Sequence, residues 1–164
     1  MSRAFVCAAL LAACVVPAAG AALPPHGRLV AGRSLAGITI GEPAARVRAA
    51  LGHSYGVCQG CTRTTWYFTY RPFEQKGLAV ELTRQRVTAV YTLWQPDAWQ
   101  MDGGFALGAV QAQVTKAVGT TIPVPCAGYE ALVRDAGKTR TAYYIVAGKL
   151  WGFGLLRARE NPCR

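Results

Sequence analysis

Cysteine chemistry is the first possibility that this sequence offers. Cys58 and Cys61 form a CxxC motif, the spacing used by thiol oxidoreductases and by many zinc sites. A redox thiolate usually lies at a helix N-terminus, whereas this motif falls after a predicted helix and before a predicted strand. A zinc site needs further ligands, and the sequence contains no second CxxC motif. A thiol oxidoreductase of the extracytoplasmic space, using Cys58 and Cys61, is therefore the third of three function hypotheses, and no metal ligand is predicted.

Disulfides are the interpretation that the cysteines favour. Cys126 and Cys163 bring the cysteines beyond the N-terminal segment to an even number, which in an exported chain indicates disulfide bonds. We expect Cys58–Cys61 to close a loop and Cys126–Cys163 to hold the C-terminal segment. A bridge from Cys126 to Cys58 or to Cys61 stays open as an alternative, because the two loops that carry these cysteines could meet.

Acid–base catalysis has little support in the sequence. His26 and His53 are the only histidines, so a nucleophile–histidine arrangement would depend on His53 alone. The 8 carboxylates are dispersed, and neither a glycine-rich dinucleotide motif nor a phosphate-binding loop occurs. We therefore predict no catalytic residue, no cofactor and no enzymatic activity.

Aromatic side chains are the more informative feature. They concentrate in predicted strands, where alternation places some rings on each face of a sheet. If helices cover one face, the other shows rings to solvent, and exposed rings on a firm sheet are common anchors of protein interfaces. The alternative is that most of these rings form the core. The candidate binding surface comprises Trp66, Phe68, Tyr70, Tyr91, Trp94, Tyr143 and Trp151.

Two similar units position these residues. Gly41, Val47 and Gly52 recur in the same order as Gly108, Val114 and Gly119, each time around a helix-like apolar stripe that ends at glycine. Strand-like segments follow both stripes, at 65–70, 78–83 and 86–93 and at 129–134, 139–146 and 149–155. The sequence therefore predicts an α+β fold of two tandem repeats, 35–99 and 100–164. Each repeat is a helix plus a three-stranded antiparallel meander, with the helices on one face of the sheet.

The N-terminal segment predicts export. Arg3 precedes an apolar run and a small-residue cleavage pattern at Ala19–Ala21, so we interpret residues 1–21 as a signal peptide and residues 22–34 as a flexible leader into one domain, 35–164. A competing processing site exists. Leu11-Ala12-Ala13-Cys14 resembles a lipobox, and lipidation of Cys14 would make the protein a membrane-anchored lipoprotein.

The net charge bears on the choice of partner. Lys and Arg number 18 against 8 Asp and Glu, a formal net charge of +10. Such a charge favours acidic partners such as anionic polymers or membrane surfaces, but it is equally explained by a soluble surface rich in arginine through codon preference. The basic residues are scattered rather than clustered, which argues against nucleic acid. Another extracellular or envelope protein is the partner that the aromatic residues favour.

The sequence also resembles known envelope proteins. Ile38-Thr39-Ile40-Gly41, then Val47 and Ala50-Leu51-Gly52, is similar to the opening of the SmpA/OmlA (BamE-type) domain and to the repeats of the secreted β-lactamase inhibitory protein. The resemblance implies a secreted, non-enzymatic, inhibitor-like protein that binds another protein through an open sheet face. A cell-envelope assembly or wall-associated module is the second hypothesis.

Overall fold

The chain folds mainly into β-structure. The fold is that of a computed structural model, which describes residues 27–69, 76–93, 99–101 and 104–164. Within these residues 51% lie in strands and 13% in helices. The elements in chain order are β1 Arg28–Val30, β2 Ser34–Leu35, α1 Ala44–Leu51, β3 Gly56–Val57, β4 Thr64–Thr69, β5 Gly77–Thr83, β6 Arg86–Leu93, β7 Gln100–Met101, α2 Gln111–Val118, β8 Ile122–Cys126, β9 Tyr129–Ala136, β10 Thr139–Val146 and β11 Lys149–Arg157.

One antiparallel sheet of eight strands dominates the fold. Its order is β3-β4-β5-β6-β11-β10-β9-β8, so β6 and β11 join the two halves at its centre. This junction pairs Tyr91 with Gly154, Val90 with Leu155 and Ala89 with Leu156. The two outer strands are weak templates for further pairing, because β3 has only two residues and β8 carries Pro123 and Pro125.

Both helices begin against hairpin turns of the sheet. The amide of Ala44 donates to the carbonyl of Gln85, 2.9 Å away, and the amide of Gln111 donates to the carbonyl of Gly148, also at 2.9 Å. These backbone acceptors satisfy helix N-termini that no side chain of the N-cap residue serves. Gln85 in its turn has φ of 60°, in the left-handed region that such tight hairpins require.

The two faces of the large sheet have different coverings. Val47 and Leu51 of α1, together with Val114 and Val118 of α2, join one core cluster with inward side chains of the sheet. A second, smaller cluster on the opposite face contains Ala89, Ala131, Val133, Ala142, Tyr144 and Leu156. Strand alternation sends Tyr143 into the first cluster and its neighbour Tyr144 into the second.

A small second sheet closes the helix side of the core. Its strands have the order β2-β1-β7, and Leu29 of β1 and Leu35 of β2 are fully buried. Gly27 lies so close to the buried Trp99 ring that a Cβ there would be 2.4 Å from it. Residues 28–34 were predicted to belong to a flexible leader, 22–34, but they lie in β1, in β2 and in the turn between them, and the apolar side chain of Leu29 is part of the core. Residues 22–26 and the predicted signal peptide lie outside the described residues.

The predicted fold class was wrong. The protein is mostly β and contains a single eight-stranded sheet, rather than an α+β arrangement of two helix-plus-three-stranded-meander repeats. The additional strands β3 and β8 extend the sheet at both ends, and the helices are only eight residues each. Short helices contribute little of the chain, so the sheet decides the class. No helix in the described ranges has the length and apolarity to span a membrane.

Candidate functional site

The C-terminal segment gives the sheet face opposite the helices its distinctive chemistry. Residues 158–164 follow β11 and return across this face, which we call the tail face. The amide of Ala158 donates to the carbonyl of Lys138 at 2.9 Å, and Arg140 Nη1 donates to the carbonyl of Glu160 at 3.1 Å. The segment therefore has a fixed course along its length.

A disulfide fixes the end of this segment. Cys126 at the end of β8 is bonded to Cys163, and the sequence separation of the two residues is 37. We call this bond the tail disulfide. Pro162 beside it is buried. The tail disulfide places Arg164 over the middle of the sheet, far in sequence from the strands that it contacts.

Four charged side chains meet between the sheet and the C-terminal segment, residues 158–164, which we call the tail. Glu81 of β5 lies 3.0 Å from Arg63 through Oε2 and Nη1, and 3.1 Å from Arg164 through Oε1 and Nε. Arg63 Nη2 is in turn 2.6 Å from Glu160 Oε2. We call these residues the charged cluster. The Arg63 guanidinium is held by both carboxylates, and its hydrogen bonds to Glu160 and Glu81 raise its pKa against the opposing effect of burial.

Burial gives the charged cluster its energetic weight. The side chains of Glu81 and Arg164 are only 10% and 11% exposed, whereas that of Arg63 is 37% exposed. Charges removed from water in this way must be paired, because an isolated buried charge is costly. The charged cluster meets this requirement, because it places two cations against two anions.

Tyrosines hold Arg164 from two sides. Tyr129 donates its hydroxyl hydrogen to the backbone oxygen of Arg164 at 2.6 Å and accepts from the amide of Arg164 at 2.5 Å. The Arg164 guanidinium lies 5.6 Å from the centre of the Tyr91 ring, a cation–π contact. Burial, and next the negative charge of Glu81, raises the pKa of the Tyr91 phenol, so this ring stays neutral across the physiological range.

Two concave regions flank Arg164. The larger, which we call the polar cleft, has a volume of about 380 Å³. Its walls include the charged cluster, Tyr91 and the rim residues Thr62 and Asn161. The smaller, the aromatic cavity, measures about 60 Å³. It is lined by Tyr91, Thr92, Tyr129, Tyr144, Trp151 and Arg164.

Three of the seven predicted surface residues prove to be core. Trp66, Phe68 and Tyr143 are 5%, 1% and 0% exposed and lie in the helix-side cluster, so their assignment to a binding surface was wrong. Trp66 stacks on Tyr55, with ring centroids 4.3 Å apart. Trp66, Phe68 and Tyr143 are buried because strand alternation turns them toward the sheet face that the helices cover. Tyr70 and Trp94 lie outside the described residues.

The remaining two predicted residues lie on the tail face. Tyr91 borders both concave regions, and Trp151 lines the aromatic cavity. Both are half-buried. The structure thus brings together the two predicted rings that point away from the helices. It adds charged residues that the sequence analysis did not select.

The cysteine pairs agree with the favoured prediction. Cys58 is bonded to Cys61, which we call the loop disulfide, and Cys126 to Cys163. The loop disulfide lies between the strands β3 and β4 and not at the start of α1 or α2. Cys61 lines the polar cleft, so the loop disulfide shapes its rim. Among the residues that the structure describes, no three His, Cys, Asp or Glu side chains are grouped so as to hold a metal ion.

The charged cluster was missed because its members are distant in sequence. Arg63 and Glu81 lie on neighbouring strands or their flanks, whereas Glu160 and Arg164 come from the tail. One signal was available. Glu81 interrupts an otherwise apolar strand, Leu78 to Leu82, and a carboxylate there requires a partner.

Comparisons with known proteins identify a fold but no family. No protein-family model and no curated protein matches the sequence. An extracellular protein containing a SCP domain from Bacillus anthracis str. Ames is similar in structure, with a TM-score of 0.52 and 9% identity over 73% of this chain and 44% of that protein. A DUF4309 family protein from Bacillus subtilis subsp. subtilis str. 168 has a TM-score of 0.51 and 15% identity over 75% of this chain and 84% of its own.

A third solved structure agrees with these two. A cysteine-rich secretory protein from Staphylococcus aureus subsp. aureus Mu50 has a TM-score of 0.50 and 11% identity, and this chain covers 44% of it. The resemblance to the SmpA/OmlA (BamE-type) domain and to β-lactamase inhibitory protein was wrong, because the structural neighbours are SCP-domain and DUF4309 proteins. The chain shares its fold with extracellular bacterial proteins and spans less than half the length of two of them.

Proposed function

We propose that this chain is an exported, non-enzymatic binding protein that contacts another extracytoplasmic protein through its tail face. The leader pattern of residues 1–21, the two disulfides and a fold seen in extracellular proteins support export. The polar cleft is the observation that carries the proposal of binding. It is a built depression of about 380 Å³ on the sheet face that the helices leave free.

The chemistry of the cleft suits a polar segment of a protein partner. Arg63 is the most exposed member of the charged cluster, and it can add a hydrogen bond to a partner without leaving Glu81 unpaired, because Arg164 remains beside that carboxylate. Tyr91 supplies a half-buried ring at the same place. A buried aromatic ring and an arginine surrounded by polar rim residues are the usual composition of a binding hot spot.

Site-specific photocrosslinking tests the proposal. A photoreactive amino acid at Thr62 or at Asn161, both exposed on the cleft rim, should capture a protein from the producing organism. The matched control is the same amino acid at Ala49, which is exposed on α1 on the helix side. The captured protein would then be purified and titrated calorimetrically against this chain.

The titration decides between specific and incidental capture. Arg63→Ala should weaken the affinity about tenfold or more, as truncation of a hot-spot arginine does. Arg46→Ala, which removes an exposed arginine of α1, should leave the affinity unchanged. Capture at Ala49 equal to capture at Thr62, or equal affinities of the two variants, would overturn the assignment of the tail face.

Two further measurements separate the alternatives that the sequence left open. Mass spectrometry of the mature N-terminus distinguishes cleavage after Ala21 from a lipidated Cys14, and the second result would favour an envelope-anchored module. The absence of enzymatic activity is also a proposal. We expect no reduction of insulin by the reduced protein, because Cys58 follows the strand β3 and does not lie at the start of a described helix.

A further inference from the structure

The aromatic cavity contains hydrogen-bond donors that the protein itself does not use. Tyr144 Oη and Arg164 Nη2 are both buried, and neither has a hydrogen-bond partner in the described part of the chain. Both residues line the cavity. Buried donors are normally satisfied, so two unsatisfied donors at one cavity indicate a missing acceptor.

The partners of Arg164 account for its other two nitrogens. Nε faces Glu81 Oε1 at 3.1 Å as an ion pair, although the angle is unfavourable for a hydrogen bond. Nη1 donates to the carbonyls of Asn161 and Cys163 at 2.5 Å and 2.9 Å. Only Nη2 remains, and its position is fixed because the rest of the guanidinium is held by the tail and by β5.

Tyr144 is equally constrained. Its ring packs edge-on to Tyr129, with centroids 5.7 Å apart, and lies over Gly152 and Gly154. A Cβ at Gly154 would be 2.3 Å from Tyr144 Oη, so only glycine leaves room for the hydroxyl at this position. The phenol is 5% exposed and stays neutral, because burial raises its pKa. It is therefore a donor with a defined location.

We infer that the aromatic cavity binds a carboxylate group, which accepts from Arg164 Nη2 and from the hydroxyl of Tyr144. A guanidinium nitrogen and a phenol are strong donors to a carboxylate, and the surrounding rings suit the apolar remainder of a small acid. The volume of about 60 Å³ holds such a group, since a single water needs about 10–15 Å³. The inference concerns the tail face but does not require the protein partner proposed above.

The charge balance favours a monoanion over a phosphate. Arg63 and Arg164 are already matched by Glu81 and Glu160. A monoanion adds a single negative charge, which the hydrogen bond from Arg164 Nη2 partly offsets, whereas a phosphate adds a second charge that Glu81, on the same guanidinium, would repel. A neutral amide of the same size lacks the charge that strengthens both hydrogen bonds.

Titration with acetate and with N-acetylglycine tests the inference and identifies the source of the carboxylate. Acetate represents a free small acid, and N-acetylglycine represents the C-terminus of a peptide; acetamide and N-acetylglycinamide are the uncharged controls. Binding would be followed by NMR shifts of the Trp151 indole and the Tyr144 ring in the full chain at constant ionic strength. Saturable binding of either acid, but of neither amide, is expected.

Two variants make the result decisive. Tyr144→Phe removes one donor and should weaken the binding of the acid about tenfold, the effect of losing a hydrogen bond to a charged group. Tyr143→Phe is the matched control, because Tyr143 is also buried with an unpartnered hydroxyl but lies in the helix-side core. It should leave the affinity unchanged.

Each outcome has a definite meaning. Binding of acetate indicates a free acid, and binding of N-acetylglycine alone indicates a chain end. No saturable shift with either acid, or equal affinities for Tyr144→Phe and the unmodified protein, would overturn the inference and leave ordered water as the occupant of the cavity. Such a failure would not affect the crosslinking result at Thr62, which tests the protein partner separately.

Discussion

Removal of the Glu81 charge is the perturbation that tests the energetics of the tail face most directly. Glu81→Gln keeps the size of the side chain but removes the carboxylate that Arg63 and Arg164 share. Arg63 is partly exposed and retains Glu160. Arg164 has no second carboxylate among its described contacts and is only 11% exposed, so the substitution leaves a buried cation without its counter-charge.

The expected cost follows from that burial. Breaking a buried ion pair by removing one partner destabilises a protein by about 3–5 kcal/mol. We expect about 3 kcal/mol for Glu81→Gln, at the lower end, because Arg63 keeps a partner and contact with water. At a urea slope of about 1–3 kcal/mol/M, the midpoint of unfolding should fall by about 1–3 M.

The matched control is an exposed pair of the same kind. Arg140 binds Asp135 through two hydrogen bonds of 2.7 Å and 3.1 Å, but the Asp135 side chain is 48% exposed. Asp135→Asn should cost less than about 1 kcal/mol. Urea unfolding of both variants at pH 7 makes the comparison. A cost for Glu81→Gln no greater than that for Asp135→Asn would refute the claim that the tail removes these charges from water.

Three further perturbations test other features of the fold. Replacing both cysteines of the tail disulfide by serine should lower the free energy of unfolding by about 4 kcal/mol, and the same change in the loop disulfide by about 2 kcal/mol. The difference arises because the tail disulfide closes the longer loop, with a sequence separation of 37 against 3. Equal costs in urea unfolding would contradict this prediction. Burial raises the pKa of Tyr143 to about 12, so its neutral form contributes stability that is complete below about pH 10, the unfolded value, and is lost as the pH rises toward 12. Tyr143→Phe should leave the stability at pH 7 unchanged or raise it, since the Tyr143 hydroxyl has no hydrogen-bond partner among the described residues. The variant should also lose less stability than the unmodified protein between pH 10 and pH 12. An equal loss of stability in this pH range would contradict the prediction. Gly154→Ala should lower stability by about 1–3 kcal/mol through a clash with Tyr144, and Tyr144→Leu in the same chain should restore most of it in thermal unfolding; failure of this rescue would locate the strain elsewhere.

The strands were the most predictable part of the fold. Segments such as 139–146 are rich in β-branched and aromatic residues, which strands prefer, lie between turn residues and were found at the expected positions. The edge strand β8 was not predicted, because Pro123 and Pro125 argue against a strand until a sheet edge is available to receive them. The short β3 has too few residues to produce a pattern. These two strands widen each three-stranded unit to four, and the pairing of β6 with β11 joins both units in one sheet.

The candidate site was less predictable than the fold. Alternation correctly separates rings into two sets, but it does not show which set the helices cover, and Trp66 and Phe68 were therefore assigned to the wrong side. The charged cluster depends on the course of a tail without regular structure, which is fixed by the tail disulfide and by hydrogen bonds to Tyr129. Such contacts are set by tertiary structure, so residues distant in sequence carry no local pattern that reveals them.

The two ends of the large sheet have a consequence for how copies of this protein behave together. A strand from a second molecule can extend a sheet only where it finds a continuous row of free amide and carbonyl groups. Pro123 and Pro125 have no amide hydrogen to offer, and at the opposite end β3 stops after Val57. Both margins are therefore poor templates for strand-by-strand growth into fibrils, which limits association between copies of this protein through their backbones.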